Sequence, residues 1–430
     1  MRILILNEYF YPDVASTAQH STDLAQAMVR EGHQVTVLTG RRGYEAGGQL
    51  LPRNETWEGI RILRVSSLGL GKTVRWQRAL HFASFLLGCA WRLLWLPSFD
   101  TVVAMTTPPL FSFLAALFTQ IKGGGLCVWV MDLNPDEAVA AGWLVPGRLP
   151  HRFLERLLRY SLKRAKKIVV LDHFMRERIV AKGVAAHMVE VLPPWSHDGV
   201  VNYDPESRAE FRRQHGLEGK FVVMYSGNHS PCHPLDTLLA AADSLQQRTN
   251  GKRPIVFCFM GGGSELAKVE RFVRARNLRN VVCLPYQPVG RLGAALSAAD
   301  LHVVVVGDPF VGIVHSCKIY NILRLGVPFL YIGPPQSHIS EILHSHAAGD
   351  WAHEFRHGNA ESVARCIQQC AQAGTCRFEA ETRLAQEFSY DRLVPRLIAS
   401  LKTAAMVPGR EEEVPSRTIG QRDPVYSERS

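Results

Sequence analysis

Along the first four hundred residues, short apolar runs rich in β-branched side chains alternate with stretches of helical periodicity. Strands covered on both faces read as near-continuous apolar runs, so this alternation predicts buried parallel strands joined by helices. In the first half the runs are RILIL, QVTVL, IRILRV, DTVVAM, LCVWVM, KIVVL and VEVL. Between the first two, Leu24, Ala27 and Met28 recur at helical spacing, and Gly32 supplies a left-handed stop. In the second half the runs are FVVMY, PIVFCF, NVVCL, DLHVVVV and VPFLYI, with amphipathic segments such as 236–245 between them. The pattern predicts an α/β protein of two Rossmann-like doubly wound domains, 1–195 and 205–383. The boundary falls at LPPWSHDGVVNYDPES, where prolines and polar residues interrupt the alternation. A closing helix is expected over 384–405, packing back on the first domain, and the polar segment 407–430 is expected to be disordered.

Composition agrees with two packed cores. At 430 residues with 47% hydrophobic residues, the chain exceeds what one core organises. The nine cysteines are scattered without a C-x-x-C pair, as in a reducing cytoplasm. Cys366, Cys370 and Cys376 lack an accompanying histidine pair and read as helix-packing cysteines, so no metal site is expected. The opening MRILILNEYF reads as a strand rather than a signal peptide. The most apolar segment, FASFLLGCAWRLLWLPSF, is interrupted by Arg92 and Pro97 and is too short to span a bilayer.

Open α/β sheets bind ligands where strands end and helices begin, so the strand-to-helix loops carry the chemistry. In the second half three of them are glycine-rich: SGNHSP with Gly227, MGGGSEL with Gly261 to Gly263, and the loop between Gly307 and Gly312 that enters the helix bearing Lys318. Exposed amides and helix N-termini favour anions, and a lysine beside three such loops points to phosphate. The dinucleotide fingerprint G-x-G-x-x-G and the P-loop are both missing, which argues against a nicotinamide enzyme and a P-loop kinase.

The segments PDVASTAQHSTDLAQAMVREGHQVTVLTG, VVLDHFMRERIVAKGV, YSGN with PLDTLLAAA, LPYQP with ALSAADLHVV, and SCKIYNILRLGVP occur in linked order. Together they resemble a family 4 retaining glycosyltransferase of the GT-B fold, in particular the bacterial branch resembling L-fucosamine transferases of O-antigen, capsule and exopolysaccharide synthesis. The resemblance implies two domains facing across a cleft, with a nucleotide-diphosphate sugar in the C-terminal half, UDP as the expected nucleotide, and an acceptor in the N-terminal half. It implies donor contacts from Gly227, Asn228, His229, His233, Gly262, Tyr286, Gln287, Ile313, Val314, Ser316, Lys318, Tyr320 and Asn321. The amides of Ile313 and Val314, the Ser316 hydroxyl and Lys318 are expected at the diphosphate. The chain departs from the commoner pattern: Asn228 and His233 replace the Arg and Lys of the glycine loop, Ile313 and Asn321 replace a pair of glutamates, and Lys318 is expected to restore the lost cation.

No D-x-D signature ends a strand, so helix dipole and lysine are expected to neutralise the leaving diphosphate without metal or cofactor. Retention in this family is described as front-face substitution in which the leaving phosphate helps to deprotonate the acceptor. Asp132, after a buried strand, is the candidate catalytic helper together with Lys318, while Asp136 reads equally as a helix cap. Asp13, Ser16, Thr17 and Asn134 are the expected acceptor contacts, and His20 reads as a helix-surface residue.

Charge adds a location. The formal net charge is +10, and residues 1–200 hold 23 Lys/Arg against 16 Asp/Glu. Arg152, Arg156, Arg159, Lys163 and Lys166 recur at spacings of three or four, opposite Leu154, Leu157, Leu158 and Leu162. Either the face is merely solvated or it docks a cytoplasmic, peripheral protein on the anionic inner leaflet, where a polyprenyl-diphosphate-linked saccharide would be the acceptor. No nucleic-acid partner is expected, since the basic residues lack aromatic interleaving. A non-catalytic partner subunit of the same fold and a sugar-nucleotide epimerase are the alternative readings.

Overall fold

The computed structural model describes residues 1–43, 50–69, 75–197, 199–246, 253–345, 351–374, 377–378 and 383–405. The expected disordered segment 407–430 and Cys376 lie outside these residues.

The first sheet contains β1 Arg2–Leu6, β2 Gln34–Gly40, β3 Asn54–Trp57, β4 Ile60–Val65, β5 Thr101–Met105, β6 Gly125–Trp129, β7 Lys167–Val170 and β8 Val189–Val191, in the order β3-β4-β2-β1-β5-β6-β7-β8. All neighbours are parallel except β3 with β4. The second sheet contains β9 Phe221–Asn228, β10 Ile255–Gly262, β11 Val281–Leu284, β12 Leu301–Val305, β13 Phe329–Ile332 and β14 Ala352–Phe355, in the order β11-β10-β9-β12-β13-β14. Its pairs are parallel throughout. The apolar runs became strands because both faces are covered: every residue of β5, β6 and β12 is buried.

In each sheet the strand order reverses next to the first strand, between β1 and β5 and between β9 and β12. Adjacent loops there leave on opposite faces and open a crevice at the carboxyl ends of the strands. The two crevices face each other.

One face of the first sheet is covered by the helices Arg75–Leu94, Phe111–Lys122, Leu149–Arg164 and His173–Ala181, which bury Phe85, Phe111, Leu162 and Met175 in one cluster. The other face is covered by Ser16–Arg30 and by the last helix, whose Leu397 and Leu401 are fully buried with Ile3 and Val103. Burying each such leucine contributes about 1.5–3 kcal/mol.

The expected single closing helix is two, Arg383–Glu387 and Tyr390–Ala405. The periodicity breaks at Phe388, whose carbonyl oxygen accepts the Ser196 amide at 2.9 Å instead of continuing a helix. The chain therefore crosses between the domains near 195 and again near 388, and the crossings are hydrogen-bonded to each other.

No helix among the described residues is long and apolar enough to cross a membrane.

A cation-bearing cleft between the two sheets

A cavity of about 400 Å³ lies between the domains. From the first domain it is lined by Tyr9, Ser16, Thr17 and His20 after β1, by Thr107 after β5 and by Asp132 after β6. From the second it is lined by Gly227 and Asn228 at the end of β9 and His233 after it, by Tyr286 and Gln287 after β11, and by Ser316, Lys318 and Asn321 after β12. These loops are the ones that the two crevices bring together.

Lys318 opens the helix Lys318–Leu325. Its ammonium is buried without a hydrogen-bond partner, 3.8 Å from the ring centroid of Tyr225. Burial pushes its pKa down to about 7. Gly227, at φ +132°, lets the β9 loop pass close by: a Cβ there would stand 3.1 Å from the Lys318 nitrogen. The Ser316 hydroxyl and His229 Nε2 are also buried without partners. Buried polar atoms are ordinarily satisfied, and Ser316 Oγ, Lys318 Nζ and His20 Nδ1, all on residues lining the cavity, are an incomplete hydrogen-bond set.

Asp132 faces them from the first domain. Burial, with the nearby Glu137 charge, pushes its carboxyl up to about 8. Its backbone amide donates to Thr106 Oγ1 at 3.1 Å.

The loop that delivers Lys318 is held by the opposite domain. Leu133 donates its amide to the Ile313 carbonyl at 2.9 Å, Arg178 Nε donates to the Val311 carbonyl at 2.8 Å, and Asp132 and Val314 form an antiparallel bridge. Gly312 permits this approach: at φ +66°, an added Cβ would meet the Phe174 backbone at 2.7 Å. Beyond it, His315 Nδ1 lies 2.7 Å from Asp172 Oδ2, and His315 Nε2 lies 2.7 Å from the Tyr320 hydroxyl. His338 stacks on His315 at 3.8 Å and accepts the Ser316 amide at 3.1 Å. Burial alone would raise the Asp172 carboxyl, but the hydrogen bond from His315 and the histidine charges hold it at about 2. Both His315 nitrogens and His338 Nε2 are thus engaged within the protein, which leaves Asp172, His315 and His338 poorly disposed as metal ligands.

Several expected contacts fall elsewhere. The amides of Ile313 and Val314 both donate to the Phe310 carbonyl, at 3.0 and 3.1 Å, and Ile313 is buried in the first domain's core, so neither amide is open to a phosphate. Tyr320 stands behind the cavity as the partner of His315. Asn321 lines the cavity, but its side-chain oxygen already accepts the His197 amide at 3.0 Å. Gly262 stands behind Tyr286, whose hydroxyl donates to its carbonyl at 3.2 Å. Asp13 accepts the Ala15 amide and Asn134 donates to Glu137; neither lines the cavity. Asp136 is no helix cap: it pairs with Lys182 at 2.7 Å. His233 supplies no cation, because burial followed by the Lys318 charge lowers its pKa to about 3, and its Nδ1 donates to the Val305 carbonyl at 2.6 Å.

The sequence did not single out Asp172, His315 and His338, and it misplaced His20. His20 is 1% exposed rather than on a helix surface, stacked on His197 at 4.8 Å and edge-on to Trp195 at 5.0 Å. A histidine among Ala18, Ser21 and Leu24 on a helix's buried face was the available signal.

Residues 17–195 match the family model described as a glycosyl transferase 4-like domain. The putative colanic acid biosynthesis glycosyl transferase WcaI of Escherichia coli is 25% identical over 341 residues, covering 76% of this chain and 82% of that protein. Among solved structures, sucrose-phosphate synthase from Thermosynechococcus elongatus superposes with a TM-score of 0.70 at 14% identity, over 93% of this chain and 98% of that one. HepE of Anabaena, solved in complex with UDP and glucose, superposes with a TM-score of 0.67 at 14% identity, over 94% of this chain and 100% of that one. The two facing doubly wound domains are the GT-B fold.

Proposed function

We propose that the chain is a retaining glycosyltransferase of cell-surface polysaccharide synthesis, moving a sugar from a nucleotide diphosphate, UDP being the expected one, to a lipid-linked saccharide. The observation that carries this reading is the pair of unpartnered polar atoms in the cleft, Ser316 Oγ and Lys318 Nζ. A diphosphate supplies acceptors for both, and the cation offsets its charge as the sugar leaves.

Tyr286 and Gln287 line the cavity from the second domain and would receive the base, and Asp132 lines it from the first domain, which would hold the acceptor. Asp132 orients the acceptor hydroxyl, and its ionised form takes up the proton. Charge compensation by Lys318 and the helix N-terminus makes added Mg²⁺ or Mn²⁺ unnecessary. The family match over 17–195 and the UDP complex of the structural neighbour support the class and the nucleotide.

A location follows from the outer surface of the first domain. Leu87, Trp91, Leu94 and Trp95 are exposed on and after one helix, and Leu149 and Phe153 on another that also exposes Arg152, Arg156 and Lys163. Large exposed apolar side chains beside cations fit an anionic bilayer surface, where a polyprenyl-linked acceptor would be met.

Thermal shift against UDP, GDP and dTDP, followed by release of nucleoside diphosphate from the matching sugar donor, tests the reading. Stabilisation by one nucleotide and donor turnover support it. No stabilisation by any of them, or binding without turnover in the presence of lipid-linked acceptors, turns it over to a non-catalytic subunit.

A further inference from the structure

At the edge of the second sheet, away from the cleft, strand β14 brings His353 against the helix Ala360–Ala373. That helix presents Cys366 and Cys370, one turn apart on one face. His353 Nε2 lies 3.6 Å from Cys370 Sγ, and the three ligand atoms all lie within 4.8 Å of one another. We propose that His353, Cys366 and Cys370 bind a thiophilic divalent ion of the class of Zn²⁺.

The spacing fits the ion. Zinc takes thiolate sulfur at about 2.3 Å and imidazole nitrogen at about 2.0–2.1 Å in tetrahedral array, and two such ligands stand about 3.5 Å apart. The observed separation of 3.6 Å needs almost no movement. The donor set is soft and carries no carboxylate, which disfavours Mg²⁺ and Ca²⁺. Both thiols lose their protons to solvent on binding, so two thiolates neutralise the ion and no charge is left buried. Cys366 is buried, whereas Cys370 and His353 are half-buried, so an ion can enter from solvent and keep a fourth, exchangeable ligand.

The site would act as a staple. Among the described residues β14 has a neighbour on one side only, β13, with His353 paired to Leu330. A bond from its imidazole to two thiolates of the covering helix fixes this edge strand. None of the three residues lines the cleft, so the site is separate from sugar transfer.

The full chain, purified reduced and dialysed against a chelator, is titrated with Zn²⁺ in competition with a chromophoric chelator, and with Co²⁺ by absorption. Expected are one tightly held Zn²⁺ per chain and a near-ultraviolet thiolate-to-cobalt band. Losing a partner behind a metal ligand costs about 10–100-fold in affinity, so losing a ligand should cost at least about tenfold. Cys370→Ser and His353→Gln should each show that loss, while Cys283→Ser, at an exposed thiol elsewhere, should not. His353→Gln is the deciding variant, because it leaves the buried thiol in place. Zn²⁺ affinity unchanged in His353→Gln, or no thiolate-to-cobalt band in the wild type, overturns the proposal.

Discussion

His315 and Asp172, 143 residues apart, meet at 2.7 Å across the domain interface, three residues before Lys318 opens its helix. Removing one partner of a buried pair leaves the other uncompensated, at a cost of about 3–5 kcal/mol. Asp172→Ala should lower stability by that amount in urea denaturation. Asp172→Asn should lose about 1 kcal/mol less, because its side-chain oxygen can still accept the Met175 amide at the helix N-terminus.

Lys318→Ala should leave the fold intact and weaken nucleoside diphosphate binding about ten- to a hundredfold, the worth of a charge-assisted hydrogen bond. Calorimetry measures it. The same experiment reads protonation: with a pKa near 7, free Lys318 is mostly neutral at pH 8, and a bound diphosphate should draw a proton onto it. Binding enthalpy at pH 8 should therefore depend on the buffer's ionisation enthalpy, and this dependence should vanish in Lys318→Ala.

Asp132, with its carboxyl near pH 8, should govern the alkaline behaviour. As a base it works ionised, so kcat/KM should rise with pH through about 8 in the wild type, and Asp132→Asn should lose that rise. Stability moves the other way. The folded state holds this proton where the unfolded state, with a carboxyl near 3.9, has lost it, so the contribution is present at low pH and lost as pH climbs towards 8. Between pH 7 and 9, above the range where the histidines act, the denaturation midpoint of the wild type should drop relative to that of Asp132→Asn.

Acid should unfold the chain for the opposite reason. Burial above all lowers His20 and His233 to about 3 and His229 and His302 to about 4. Below about pH 6.5 the unfolded chain binds protons that the folded one refuses, so stability is lost as pH falls from there towards 4. Urea midpoints at pH 7 and pH 5 check this, the lower pH being expected to give the lower midpoint.

Arg152, Arg156, Lys163 and Arg159 are all exposed, and Arg159 is also tied to Glu155 at 2.8 Å. Reversing the first three to Glu should release the protein from anionic vesicles, each cation being worth on the order of 1 kcal/mol near such a surface. Co-sedimentation measures it, and transfer to a short soluble acceptor should be unaffected. Equal sedimentation of both proteins would mean a merely solvated face.

The central strands were legible because burial on both faces leaves no room for polar positions. β3, with the sequence NETW, and β14, with AHEF, were not: edge strands are partly exposed and need no apolar run. In the cleft, Gly227 and Lys318 were readable because a glycine loop and a first-turn lysine are local signals. The ties of Asp172 to His315 and of His353 to Cys370 were invisible, because each joins residues whose neighbourhood is set by the other element. The misjudged amides of Ile313 and Val314 show the converse: a loop resembling a phosphate cradle had already spent its donors on Phe310.

The last helix covers the sheet that the first residues build, with Leu397 and Leu401 against Ile3 and Val103. During synthesis that cover is made last. The first domain must wait with an apolar sheet face exposed while the whole second domain emerges, and it is completed only when the residues around 401 are free to dock. The first domain is therefore the last to be completed, and a ribosome stalled between the second domain and the final helix holds a half-closed first domain beside a second one able to finish.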